Sequence, residues 1–168
     1  RQQDAGWQAL LLEDESRDNG SVHLPPALLE AMHKAPLVVL DTPDAERLEI
    51  SFQEYVLDMT AAYGAVSGSR EAGLQAYGNY LLTSLGKIRK RLGEVRYQQV
   101  RGLMEQALAE QVRTGSPDHH RDWVAFILFD YYDPMYDYQL KGKQERIRFQ
   151  GDAPAVRAYL AAQTPALG

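Results

Sequence analysis

Pro36-Leu37-Val38-Val39-Leu40-Asp41 is a short apolar, β-branched run closed by a carboxylate. A run this short, with no polar alternation, fits a strand buried on both faces, as in parallel sheets. Helical patterns flank it. His23-Leu24-Pro25-Pro26 opens a short helix to about Lys34, with proline tolerated in its first turn. Thr42-Pro43-Asp44 starts another, in which Leu48, Phe52, Tyr55, Val56, Met59, Ala62 and Tyr63 follow helical spacing. Further out, Gln8 to Glu13 and Arg146 to Gln150 read as strands. Asp18-Asn19-Gly20 signals a turn, and Gly151-Asp152 caps a last helix to about Gln163.

The middle of the chain is helical. Gly64 to Gly73 is small and polar and reads as a loop. A helix then carries Leu74, Tyr77, Leu81, Leu85, Ile88 and Leu92 near heptad spacing and stops at Gly93. The next places Tyr97, Val100, Met104, Leu108 and Val112 on one face. Thr114-Gly115-Ser116-Pro117 breaks it, with Ser116 and Pro117 expected to cap a fourth helix. Trp123 to Phe129 is apolar all round, which predicts burial on most sides. Strand–helix–strand, four helices, then strand–helix is the order of an α/β core with a helical insertion at about residues 43–132. Core strands at about 8–13, 37–40 and 146–150 are few for a doubly wound sheet, so the rest are expected from outside this chain.

At 168 residues the chain supports one domain with a real core, and its 45% hydrophobic and 24% charged residues read as globular. No apolar run approaches the roughly 20 residues needed to span a bilayer. Arg1-Gln2-Gln3-Asp4 does not read as a signal peptide. There is no cysteine, which excludes a disulfide framework and a thiolate zinc site and fits the cytoplasm. Net charge is −5, but its distribution is uneven. Asp41, Asp44, Glu46, Glu49, Glu54 and Asp58 stand against Arg47 alone, whereas Lys87, Arg89, Lys90, Arg91, Arg96 and Arg101 stand against Glu94. Such a local basic stripe can hold a phosphate backbone on an acidic protein. The helix dipole accounts for one or two cations at a C-terminus, not for Lys87, Arg89, Lys90 and Arg91 together, so an anionic partner is expected.

Tyr131-Tyr132-Asp133-Pro134-Met135-Tyr136-Asp137-Tyr138-Gln139 is the densest cluster of polar-tipped rings in the chain. It has too many phenol and carboxylate tips for a dry core and too much ring area for a solvated loop. It reads as a packed polar corner or a binding surface, with Asp133-Pro134 making a turn. Asp133 is expected to accept a hydrogen bond from an arginine or a backbone amide, because an unpaired carboxylate among rings is costly. The rings suit base stacking or the lining of a prenyl channel equally. Arg47 reads either as a phosphate contact or as half of an ion pair with a glutamate on a solvated helix face. His119-His120 diverge by about 100° on a helix, so they read as surface histidines, with no metal site. Glu13-Asp14-Glu15-Ser16-Arg17 follows a predicted strand, the place where ligands bind in open α/β sheets. There, carboxylates can hold a metal or orient a water and an arginine can grip phosphate, or the residues form an internal ion pair in a solvated loop.

With Ile88-Arg89-Lys90-Arg91-Leu92-Gly93, the Glu13–Arg17 and Tyr131–Gln139 motifs stand in the same order as in the C-terminal part of the bacterial tRNA 2-selenouridine synthases, which this chain resembles over nearly its whole length. Pro36–Asp41 and Ile147-Arg148-Phe149-Gln150-Gly151-Asp152 also fit. The resemblance implies that the chain is the C-terminal part of one P-loop-type α/β domain: a partial parallel sheet with a large helical insertion. The phosphate loop and a rhodanese-like domain bearing the catalytic cysteine would lie upstream and are missing from this chain, so the fragment alone is expected to be inactive. The family exchanges the sulfur of wobble 2-thiouridine in tRNA for selenium from selenophosphate, by way of a geranylated intermediate made from geranyl diphosphate. The implied roles are catalysis for Glu15 and Arg17, and tRNA or substrate binding for Lys87, Arg89, Lys90, Arg91, Tyr131, Tyr132, Asp133 and Tyr136. The implied partners are tRNA and the rhodanese-like domain, with no membrane, no bound cofactor, and no indication about nucleotide. The other readings are a fragment of a P-loop kinase or ATPase with a helical lid, and a non-catalytic helical interaction module.

Overall fold

A computed structural model describes residues 10–14, 18–19 and 22–163. The chain forms two compact units, one from the residues up to Thr42 together with those from Lys141 onward, the other Pro43–Leu140. This is an α/β fold with a helical insertion.

In the first unit, β1 (Asp18–Asn19) pairs antiparallel with β2 (Val22–His23). Helix α1 (Pro26–Lys34) has Pro26 in its first turn, where a missing N–H is harmless. It stops before Pro36, whose ring disfavours a helical residue ahead of it. β3 (Leu37–Leu40) then runs parallel to β4 (Ile147–Gly151), pairing Val38 with Phe149 and Leu40 with Gly151. Arg146 donates to the carbonyls of Ala35 (2.9 Å) and Met32 (2.7 Å), closing the end of α1. Asp152 accepts the Ala155 N–H at 2.9 Å and opens α8 (Ala153–Gln163), whose Tyr159 stacks on Phe149 at 4.5 Å. Two expectations change. Residues 10–13 lie in no strand, and Gln8 and Ala9 lie outside the described residues. β3 is half-buried and its Leu40 is 53% exposed, because one parallel partner and one helix cannot cover both faces.

The second unit is helical. α2 (Asp44–Phe52) passes without a break through a π-helical segment, Gln53–Asp58, into α3 (Met59–Ser67). Gly68, at φ 73°, ends α3, and the Ser69 hydroxyl accepts the Ala72 N–H at 3.1 Å to start α4 (Arg70–Leu92). The expected loop at 64–73 therefore shrinks to Gly68-Ser69. The glycines serve packing instead: a Cβ on Gly73 would lie 2.5 Å from the Gly64 Cα, so α3 and α4 meet backbone to backbone. After Gly93 (φ 81°), α5 (Glu94–Thr114) ends at Gly115 (φ 81°).

α6 (His120–Ala125) leads through a second π-helical segment, Phe126–Tyr132, into α7 (Asp133–Lys141). Ser116 does not cap α6. Its hydroxyl accepts the Asp118 N–H at 3.2 Å in the preceding turn. Nor does Asp133-Pro134 form a turn, since the helix runs through it. The Asp133 N–H reaches the Leu128 carbonyl five residues back, and that shift in register accommodates a proline with no N–H of its own.

The core of this unit is the α4 stripe Leu74, Tyr77, Leu81, Leu85 and Leu92 against Tyr97, Val100, Met104 and Ala107 of α5, closed by Phe52, Val56, Trp123 and Val124. The α5 seam turns onto Ala107 and Gln111, leaving Val112 70% exposed. Ala125 to Phe129 is half-buried, not enclosed, so the apolar run borders an opening. Arg121 locks α6 to α2 through both oxygens of Glu49, at 3.0 and 2.7 Å. Among the described residues no helix is long and apolar enough to cross a membrane.

Candidate functional site

The helical unit holds a cleft of about 540 Å³ between α2, α4, α6 and α7. Its floor is aliphatic: Leu81, Leu85, Ile88, Met104, Val124, Ile127 and Leu128. Its walls are aromatic: Tyr55, Tyr80, Trp123, Tyr132 and Tyr136. Arg47, Glu54, Ser51 and Ser84 supply the polar edge. Both π-helical segments border it, one through Glu54 and Tyr55, the other through Ile127, Leu128 and Tyr132. Extra-residue turns of this kind re-aim side chains and recur at functional sites. A wider-mouthed hollow of about 630 Å³ lies among α3, α4 and α5, lined by small residues such as Gly64, Ala65 and Gly68. Its one cation, Arg70, is spent on the Gly115 carbonyl at 3.0 Å. It brings no comparable set of polar tips together, so the cleft is the candidate site.

The Tyr/Asp motif divides between cleft and core. Tyr132 and Tyr136 stack at 6.0 Å and line the cleft, while Tyr131 meets Tyr132 edge-on at 5.0 Å and packs on the core. Tyr138 is 80% exposed. Burial pushes the Tyr132 phenol above its ordinary pKa, with Tyr131, Tyr136 and Tyr55 adding to the rise and the charge of Arg91 opposing it. The Tyr55 phenol is raised by burial as well, with Glu54 adding. Both are therefore neutral hydrogen-bond donors near pH 7.

Asp133 does accept from an arginine. Arg47 Nη1 donates to its Oδ2 at 3.0 Å and Nη2 to its Oδ1, a fork that spans 86 positions of sequence. Arg47 also reaches Asp44 (3.3 Å) and lies 5.7 Å from the Phe129 ring centre. The bond to Asp133 raises the Arg47 pKa further against the opposing effect of burial. Arg47 is thus at the cleft edge but already holds a carboxylate, and its partner is Asp133, not a glutamate.

The basic stripe also divides. Arg89 donates from Nε and Nη2 to Glu94, both at 2.8 Å, and lies over the Tyr97 ring at 4.7 Å. This local pairing raises the Arg89 pKa and lowers that of Glu94. Lys87, Lys90 and Arg91 are exposed and make no ion pair among the described residues. Lys87 and Arg91 continue the helical stripe of Ser84 and Ile88, which line the cleft, and so place positive charge beside one end of it.

Glu15 and Arg17 lie outside the described residues. Their neighbour Asp14, in the first unit, is tied to Lys143 at 2.5 Å and Arg146 at 3.6 Å, cations that sequence reading passed over for lack of any spacing signal. His120 is a correction: it is fully buried, not on the surface, while His119 is exposed. Burial pushes the His120 pKa down to about 4. Tyr55, Tyr80, Ser84 and Trp123 were missed as cleft residues. Their only sequence signal was the i, i+4, i+8 spacing of Tyr80, Ser84 and Ile88 beside the core stripe. Among the described residues no group of three acidic or histidine side chains is arranged to hold a metal ion.

The family model for the tRNA 2-selenouridine synthase AAA domain matches residues 1–166. The chain is 42% identical over 165 residues to a tRNA 2-selenouridine synthase of Cupriavidus necator, covering 98% of this chain and 45% of that protein. Against that of Cronobacter sakazakii it is 47% identical over 161 residues, 93% and 43% of the two chains. Against that of Hahella chejuensis it is 47% identical over 152 residues, 90% and 40%. The chain therefore spans less than half the length of these relatives. No solved structure matches it. By the extent of the match to the family model and to these relatives, the chain belongs to the tRNA 2-selenouridine synthase AAA domain family.

Proposed function

We propose that this chain is the tRNA- and diphosphate-handling part of a cytoplasmic enzyme that converts wobble 2-thiouridine to 2-selenouridine, with selenophosphate as selenium source. In the first step the sulfur of 2-thiouridine attacks C1 of geranyl diphosphate, and diphosphate leaves with the bonding pair of the C–O bond. The selenium of selenophosphate then attacks C2 of the S-geranylated base, the C–S bond breaks and the sulfur leaves as geranylthiol, and water cleaves the Se–P bond to release phosphate. The cleft is the proposed seat of the geranyl chain, and the observation that carries this reading is its lining. An aliphatic floor offers nothing to the polar edges of a nucleobase, whereas a prenyl chain needs only apolar contact. Charge develops on the departing diphosphate, where Lys87 and Arg91 at the cleft end would oppose it, and the Tyr132 hydroxyl is a neutral donor nearby. The Arg47–Asp133 fork braces α7 against α2 and so keeps Tyr132 and Tyr136 at the wall. Glu15 and Arg17 are assigned, by motif, to the phosphate-bearing substrate, and a rhodanese-like domain upstream to the thiol chemistry.

The test is calorimetric titration of the chain with geranyl diphosphate and with inorganic diphosphate. Ser84→Phe, which places a ring in the cleft, should abolish binding of the first and leave the second. Equal binding of geranyl diphosphate by both proteins would move the prenyl site elsewhere.

A further inference from the structure

Two walls of the cleft, one within the first π-helical segment and one just ahead of the second, are each held from behind by a buried polar side chain. Tyr77 of α4 is 0% exposed, and its hydroxyl donates to the Tyr55 carbonyl at 2.7 Å. A π-turn shifts the backbone ladder by one residue and loosens it locally. That bond fastens the loosened segment at the residue that supplies a cleft wall. His120 of α6 is also 0% exposed. Its Nδ1 lies 2.8 Å from the Trp123 indole nitrogen, and its Nε2 lies 2.9 Å from the Gln111 Oε1 of α5. An indole N–H can only donate, so Nδ1 is the acceptor, the ring proton sits on Nε2, and Nε2 donates to Gln111. Trp123 lines the cleft just ahead of the second π-helical segment. The Tyr77 and His120 rings lie 6.0 Å apart, so the two anchors pack against each other in one layer.

Neither Tyr77 nor His120 lines the cleft. Phenylalanine or leucine would fill such core positions without any polar atom to satisfy. Here every polar tip has a partner, and two of those partners, Tyr55 and Trp123, belong to cleft residues. Satisfied buried networks fix one arrangement where apolar packing admits several. We infer that Tyr77 and His120 are positioning residues, which hold the Tyr55 and Trp123 walls at the separation an apolar chain requires. This rests on the reading of the cleft as the prenyl site and adds the residues that set its width.

The experiment uses the whole chain in a Trp7→Phe background, so that Trp123 alone fluoresces. Tyr77→Phe keeps the ring and removes the hydroxyl. His120→Leu removes both hydrogen bonds, and His120→Asn returns an acceptor for Trp123. Tyr77→Phe should speed amide exchange at residues 53–58 and weaken geranyl diphosphate about tenfold, the scale of one lost hydrogen bond. His120→Leu should raise acrylamide quenching of Trp123 with a similar loss, and His120→Asn should recover most of it. Leu74→Ala, a buried α4 position outside the cleft, should lower the melting temperature and keep the affinity. If Tyr77→Phe and His120→Leu bind as wild type does, or Leu74→Ala loses as much affinity, the pair is core packing only. If wild-type protein fails to bind geranyl diphosphate, the prenyl reading falls. The positioning role is then decided by exchange and quenching, and unchanged values in the variants overturn it.

Discussion

Arg47 and Asp133 are each about one-quarter exposed at the side chain, so their pairing is neither a free surface bridge nor a dry one. Arg47→Met leaves a half-buried carboxylate with the fork gone. The expected loss is about 1–3 kcal/mol, toward the lower end because water still reaches the site, and denaturant midpoints would measure it. No change would show that Asp133 is adequately solvated without its arginine. His120 gives a pH-dependent prediction. Its folded pKa of about 4 lies below the ordinary histidine value of 6.5, so between these values the unfolded chain binds the extra proton. Stability should therefore fall as pH drops from 6.5 towards 4, by up to about 1.4 kcal/mol per pH unit from this residue. His120→Leu should show a shallower slope over the same window, and an identical slope would mean that His120 does not titrate on unfolding.

At the scale of elements, the backbone contact between α3 and α4 is the sharpest constraint. Gly73→Ala gains helix propensity worth up to about 1 kcal/mol, but its Cβ would have to displace the Gly64 backbone at 2.5 Å. Overpacking of this kind costs about 1–3 kcal/mol, so net destabilisation is expected. Gly86, on the same helix, has nothing within 4 Å of the added Cβ. Gly86→Ala should stabilise by up to about 1 kcal/mol. Thermal melts of the two variants should shift in opposite directions, and a shared direction would contradict the close approach. The second π-helical segment follows the same logic of local geometry: it lets one helical path pass through Pro134 and turns Tyr132 to the cleft.

For the molecule as a whole, the distribution of unpaired cations matters more than the net charge. Lys87, Lys90 and Arg91 form the exposed basic surface of α4, whereas Arg89 is neutralised by Glu94. In the full-length enzyme, replacing Lys87, Lys90 and Arg91 with alanine should weaken tRNA binding and flatten its salt dependence by up to about three counterions. Arg89→Ala should leave that slope nearly unchanged. If the slope persists in the triple variant while geranyl diphosphate binding is lost, these cations serve the diphosphate alone. The cleft floor is part of the core, so Leu85→Ala should cost about 2–5 kcal/mol of stability, read by chemical denaturation. A loss below about 0.5 kcal/mol would show that the α4 stripe is not buried as described.

Periodicity along the chain determined the α/β order, the helical insertion and the core stripe from Leu74 to Leu92, because helix faces and short apolar strands are local patterns that burial then uses. The motif resemblance determined the family. The order of charges along the chain determined that a cluster of basic residues falls at the end of one helix and the start of the next. Other features were decided only by tertiary contact. Whether an arginine is free or spent depends on partners up to 86 positions away, as for Arg47 and Asp133. His120 looked like a surface residue because its burial depends on α5 and on Trp123, neither visible in an adjacent histidine pair. Gly64 to Gly73 looked like a loop because small residues signal flexibility alone and close packing when a second helix faces them. The π-helical segments left no periodic mark, since each adds a single residue to a helix that otherwise continues. They nevertheless aim Tyr55 and Tyr132 into the cleft, so the site depends on a register that only the folded backbone specifies.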